Sequence, residues 1–159
     1  MSKPQILIRE MLYDDVEPLA EAGKLMHSEG VFSKADYNVK KVVRMLDNYL
    51  EDDKLALVAD YDDGVNDEIN IVGWFLAHLG AHYFGMSKLA IEHCMYIHPL
   101  HRGGSTASRF MKKFDHWARY NEAEVMLFMP CNNGPDNRWE KFAKKNGYAH
   151  TGYIFQKDL

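Results

Sequence analysis

The chain has 159 residues, 47% of them apolar and 13% aromatic, enough for one ordinary hydrophobic core, so a single domain spanning 1–159 is expected. A net charge of -4 and a pI near 6.0 argue against a nucleic-acid partner, which would call for a concentrated basic surface, and slightly favour a cationic ligand. No apolar run approaches the ~20 residues that cross a bilayer, and Met1, Ser2, Lys3 and Pro4 lead straight into a strand pattern, so a soluble, cytoplasmic protein with no membrane partner is expected.

Residues 5–9 have the pattern of a first strand. Tyr13, Asp14 and Asp15 then offer a helix cap, with Pro18 tolerable in the first turn and Val16, Leu19, Ala20, Leu25 and Met26 at helical spacing until residues 27–30 break the pattern. Asn38 can cap a second helix that carries Val42, Val43, Met45, Leu46, Tyr49 and Leu50 on one side. Residues 55–59 form a compact apolar strand, and the polar stretch 61–68 connects it to a second strand over 69–79, the signature of a hairpin.

A further strand over 88–98 ends at Pro99, whose missing N–H stops ladder pairing. From Ser105 the period becomes helical, with Ala107, Phe110, Met111, Phe114, Trp117 and Ala118 on one face and Arg109, Lys112, Lys113 and Arg119 on much of the other. The apolar run 124–129 predicts a central strand buried on both faces, bounded by Pro130. A short helix over about 137–145 with Gly147 at its C-cap, and a last strand or hairpin over 148–156, complete the order β-α-α-β-β-β-α-β-α-β. Cys94 and Cys131 sit in apolar strand-like segments and are expected as small buried thiols rather than a disulfide.

The chemistry concentrates in residues 91–110. A strand, a glycine turn and a helix in that order leave the first helical N–H groups unpaired at the positive end of the helix dipole, a ready site for an anion such as a pyrophosphate. Gly103 and Gly104 let backbone approach a ligand, Ser105 and Thr106 offer hydroxyl donors, and Arg102 offers a charged one.

Ile97, His98 and Pro99, followed by the turn from Arg102 through Gly103, Gly104, Ser105 and Thr106 to Ala107, resemble the V-x-P and R-x-x-G-x-G/A motif of the GNAT acetyltransferases, with Ser105 where the family has its second glycine. Ile8, Arg9, Asp14 and Asp15 look like that family's opening strand and helix start, and residues 142–148 resemble its late F-Y-E-K-x-G-F signature. The resemblance implies an α/β (α+β) GNAT fold: a central mixed, mostly antiparallel sheet of six to seven strands, about four flanking helices, and a splay between strands four and five. It implies acetyl-CoA (coenzyme A) as co-substrate, its pantetheine arm pairing with backbone near Met95, Tyr96 and Ile97 and its pyrophosphate held by the turn. Asn137, by analogy, and Phe142, in the late signature, join the coenzyme A contacts, though helix capping explains Asn137 equally well.

Acetyl transfer to an amine needs a base. Glu92, an ionisable group interrupting an apolar strand, is the first candidate and His93 the second; adjacent strand residues face opposite sides unless a bulge rotates them. The family's tyrosine acid falls on Ala143, which leaves Tyr148, a water, or departure of the thiolate itself. The resemblance implies that the irregular stretch between the first two helices walls the acceptor site, with His27, Glu29 and Phe32 as its contacts, though a solvated helix end with Phe32 against the core explains the stretch equally well. His78 and His82 lack a matching ligand cluster, so no metal is expected. The acceptor is a small-molecule or protein amine, and apolar Tyr153, Ile154 and Phe155 can support a homodimer. The other reading, prompted by Ala143, is a weakly active or inactive acyl-CoA-binding or inhibitory module on the same fold.

Overall fold

The computed structural model describes residues 5–62, 70–130, 138–152 and 157. Strand β1 (Gln5–Glu10) leads through a 3₁₀ turn (Tyr13–Asp15) into helix α1 (Val16–Glu29), followed by α2 (Val39–Asn48), β2 (Lys54–Asp62), β3 (Ile71–Ala81) and β4 (Lys88–Ile97). A second 3₁₀ turn (Pro99–His101) precedes α3 (Thr106–Tyr120), and β5 (Val125–Leu127) and α4 (Arg138–Lys145) complete the described elements. The sheet order is β1-β2-β3-β4-β5, antiparallel as far as β4 and parallel between β4 and β5.

Local chemistry sets several of these boundaries. The Asn38 side chain accepts from the Lys41 N–H at 3.0 Å, satisfying one of the donors a helix start leaves over. Asp15, fully buried, accepts from both terminal nitrogens of Arg9 at 2.6 and 2.9 Å and from the Leu12 N–H at 2.7 Å, which fixes the exit of β1 to the start of α1. Burial alone would raise the Asp15 pKa, but the Arg9 and Leu12 donors outweigh it and hold the carboxyl below its usual value.

The sheet has a core on each face. Phe75 meets Phe110 and Phe114 of α3 on one, with ring centroids 5.9 and 5.1 Å apart. Leu19 of α1, Leu46 of α2, and Trp74 and Tyr96 of the sheet fill the other. Truncating a fully buried ring such as Phe110 or Phe114 to alanine would cost about 3–5 kcal/mol. The Arg109 guanidinium of α3 donates to the Ile6 carbonyl at 2.7 Å, tying that helix to β1.

Two expectations need correction. Five strands are present among the described residues rather than six to seven; residues 148–152 carry none, and most of the expected last strand lies outside the described residues. The run 124–129 is not a strand buried on both faces: β5 is three residues long and Val125 is 46% exposed. Its pairing with β4 stops at Ile91 and Leu127, and two residues further the Met129 N–H donates to the Glu92 side chain instead. A strand lasts only as long as its partner stays alongside, and here the partners separate.

Candidate active site

In β4, Ala77 of β3 faces Glu92 but Leu76 faces Cys94, so His93 is an extra residue and the strand is bulged there. The bulge resets the alternation. Ala90 before it and Met95 after it belong to the α3-side core, while Cys94 and Tyr96 pack on the α1/α2 side. Glu92 keeps the parity of Ala90 and sits at the point where β4 and β5 part.

Glu92 is 1% exposed, and its Oε2 accepts from the Met129 N–H at 3.0 Å. Burial pushes its carboxyl up to about 7, and the Met129 donor opposes only part of that rise. A carboxyl poised near neutral pH suits proton exchange. His93 is exposed, and its Nδ1 lies 2.5 Å from the Tyr49 hydroxyl, which is also 3.5 Å from Nδ1 of His78. Although the residue as a whole reaches solvent, desolvation of the ring where it packs towards Tyr49, then the His78 charge, lower the His93 pKa, while burial raises that of Tyr49. Sequence separation hides both Tyr49 and the Met129 N–H from a one-dimensional reading.

The turn after β4 has the shape an anion needs. Gly103 has φ +87, a left-handed conformation costly for other residues, and a Cβ at Gly103 or Gly104 would meet nothing within 4 Å. Ser105 and the buried Thr106 begin α3, whose first ladder bond runs from the Arg109 N–H to the Ser105 carbonyl. The N–H groups of residues 106–108, Ala107 among them, therefore lie outside the helix ladder. No side chain caps this end. The turn fits a pyrophosphate.

Arg102 is otherwise engaged. Its Nε donates to the Ile97 carbonyl at 2.8 Å, its Nη2 donates to Glu29 Oε2 at 2.5 Å, and its guanidinium lies 5.4 Å from the Tyr96 ring centre. Tyr96 in turn donates to Glu29 at 3.3 Å. Glu29 thus turns to the glycine turn rather than to the acceptor side.

A cavity of about 390 Å³ opens between α1, α2 and the sheet and reaches the gap beside β4. His27 and Phe32 line it, as do Glu92 and His93. Tyr37 positions the wall: its hydroxyl donates to the Ala20 carbonyl at 2.7 Å across α1, where Gly23 leaves room for the ring. Met95 and Tyr96 bury their side chains in opposite cores, and Met95 also lines the cavity. Phe142 packs in an aromatic cluster with Phe128 and Trp139, which explains it without a ligand. Asn137 and Cys131 lie outside the described residues, as do Tyr153, Ile154 and Phe155. The Tyr148 hydroxyl is buried with no hydrogen-bond partner among the described residues, and burial pushes its pKa up to about 12.

No family model matches the chain, and no curated protein matches it by sequence. Solved structures do match it in shape. An aminoglycoside N-acetyltransferase, AAC(6')-Iy in complex with CoA, aligns with a TM-score of 0.71 at 14% identity over 99% of this chain and 97% of its own. A GNAT family acetyltransferase of Staphylococcus aureus aligns at 0.63 and 17% identity, covering 97% and 98%. The chain has the GNAT acetyltransferase fold. A transcriptional regulator from Bacillus halodurans C-125 also aligns with this chain, with a TM-score of 0.71, 16% identity and coverage of 98% and 100%. At these identities the likeness concerns the fold. Among the described residues, no helix of this GNAT fold is long and apolar enough to cross a membrane.

Proposed function

We propose that this chain is an N-acetyltransferase that moves the acetyl group of acetyl-CoA to a primary amine by direct attack in a ternary complex. The observation that carries the reading is Glu92: a buried carboxyl with a pKa near 7, set where β4 and β5 part, at the end of the strand that feeds an open glycine turn. Residues 103–107 would hold the pyrophosphate with backbone N–H groups, and the outer edge of β4 at residues 95–97 would receive the pantetheine arm. Acetyl-CoA supplies the activated acyl group.

In this scheme Glu92 takes a proton from the acceptor ammonium and so frees the lone pair of the nitrogen. A C–N bond to the acetyl carbon forms and the C–S bond breaks, with the sulfur keeping the electron pair. The nitrogen sheds a second proton, and the thiolate is protonated, so that amine cation and thioester become amide, thiol and one released proton. His93 stands beside this path, exposed and held by Tyr49, and is assigned a positioning role.

Thiol release from acetyl-CoA with a panel of primary amines tests the proposal. Turnover is expected, with Glu92→Gln lowering kcat roughly 100-fold or more while the KM for acetyl-CoA stays within about threefold. A His93→Ala variant is expected to lose less than about tenfold; the reverse ranking would move the base to His93. A second reading is favoured by Ala143, which stands where the family's tyrosine acid falls: the chain would be an acyl-CoA-binding or inhibitory module. Tight acetyl-CoA binding without turnover on any amine would establish that reading instead.

A further inference from the structure

The cavity beside Glu92 is built for a particular kind of amine. Leu19 and Met26 of α1, Val42 and Met45 of α2, and Trp74 and Leu76 of β3 supply its walls. Among the described residues lining it, Glu92 is the one carboxylate, and neither lysine nor arginine is present. The nearby Glu29 does not add to this count, because Arg102 and Tyr96 occupy both its oxygens.

A polycationic acceptor would have to bring each ammonium out of water against apolar walls with no counter-charge beyond Glu92. An unpaired buried charge is heavily penalised, and one carboxylate can offset only one of them. An apolar body, by contrast, gains from every wall, and the exposed ring of Phe32 in the lining offers an aromatic surface for it. Phe32 is 58% exposed, a large apolar ring in the lining that still meets solvent. One further polar feature is unspent: Nε2 of His27 is buried in the wall with no hydrogen-bond partner among the described residues. A hydroxyl or carbonyl on the ligand would satisfy it.

Resting on the transferase reading above, we propose that the acceptor is a primary amine with a single cationic centre on an apolar body, an arylalkylamine or alkylamine. Its nitrogen points to Glu92 and its body lies between α1 and α2. The volume, about 390 Å³, is in the range of small-ligand pockets.

The test compares 2-phenylethylamine and hexylamine with spermidine and the aminoglycoside kanamycin, by binding and by turnover. Binding is read from the fluorescence of the pocket tryptophans Trp74 and Trp139 in the full chain with coenzyme A present. The apolar amines are expected to bind and to show kcat/KM at least 10-fold above the polycations. Phe32→Ala, at an exposed position where folding is not at risk, is expected to weaken 2-phenylethylamine about 3- to 10-fold, and unchanged binding of 2-phenylethylamine in that variant would overturn the placement of the amine's body. Preference for spermidine or kanamycin, or no binding of either apolar amine, overturns the inference. Saturable binding of 2-phenylethylamine without acetyl transfer upholds the ligand class and overturns the transferase reading alone.

Discussion

Glu92 is held under opposing demands. Its burial raises the carboxyl pKa to about 7, so between the unfolded value of roughly 4.5 and that folded value the native chain binds more protons than the unfolded one. Stability therefore falls as pH rises through that window. Glu92→Gln is expected to stabilise the protein above pH 7, by roughly 1–3 kcal/mol, with no gain below pH 4.5; denaturant midpoints at two pH values will show it. Activity moves the other way, because the proton acceptor is the ionised form: kcat/KM should rise with pH to an inflection near 7 and then level. An unchanged profile in Glu92→Gln would remove Glu92 from the chemistry. Arg102 presents a second residue-scale conflict, since a pyrophosphate must compete with Glu29 for it. A half-exposed ion pair is worth about 1 kcal/mol at most, so Glu29→Gln is expected to tighten coenzyme A binding by up to about fivefold at low salt, and the gain should shrink as salt is added. Weaker binding in that variant would mean that the pair supports the turn instead of competing for it.

At the level of elements, the strand, turn and helix of residues 91–110 were legible because each has a local signature: apolar alternation, a proline stop, two glycines, then a 3.6-residue period. The bulge at His93 was not, because it depends on the register against Leu76 and Ala77, which no local pattern records. For the same reason the sequence does not choose between Glu92 and His93; the fold sets Glu92 in the buried gap and His93 beside Tyr49, and the proposal of Glu92 as base rests on that difference. The run 124–129 misled, since apolar composition shows that a segment will be covered but not how far its partner strand accompanies it. The Asp15 cluster, by contrast, joins an element boundary that the sequence marked to a bond with Arg9 that it did not. Breaking it by Asp15→Ala leaves the Arg9 charge and the Leu12 N–H without their acceptor, and is expected to cost about 2–4 kcal/mol. Because the folded Asp15 pKa is lowered, that contribution is present at neutral pH and disappears as pH falls through the folded value. Equal stability of wild type and variant at pH 7 would contradict the assignment.

For the molecule as a whole, the two cores share one sheet, with Phe75 facing α3 while its neighbour Trp74 faces α1 and α2. We propose that the chain is a single cooperative domain, so thermal unfolding followed by tryptophan fluorescence and by circular dichroism should give coincident transitions. Two separated transitions would divide it. The net charge of -4 slightly favours a cationic acceptor at the coarsest level; the proposed single positive centre rests instead on where the carboxylates lie around the cavity, which a global charge does not record. Acceptance of coenzyme A by the glycine turn underlies the proposed function. Titration calorimetry of acetyl-CoA into the wild-type chain and into Gly103→Val tests this most directly. One molecule should bind per chain, with a Kd near 1 μM, about 8 kcal/mol. The valine, forced into a left-handed conformation at φ +87, should weaken binding at least 10-fold. Absence of any binding heat at millimolar acetyl-CoA, or identical affinity in the two proteins, would contradict the account.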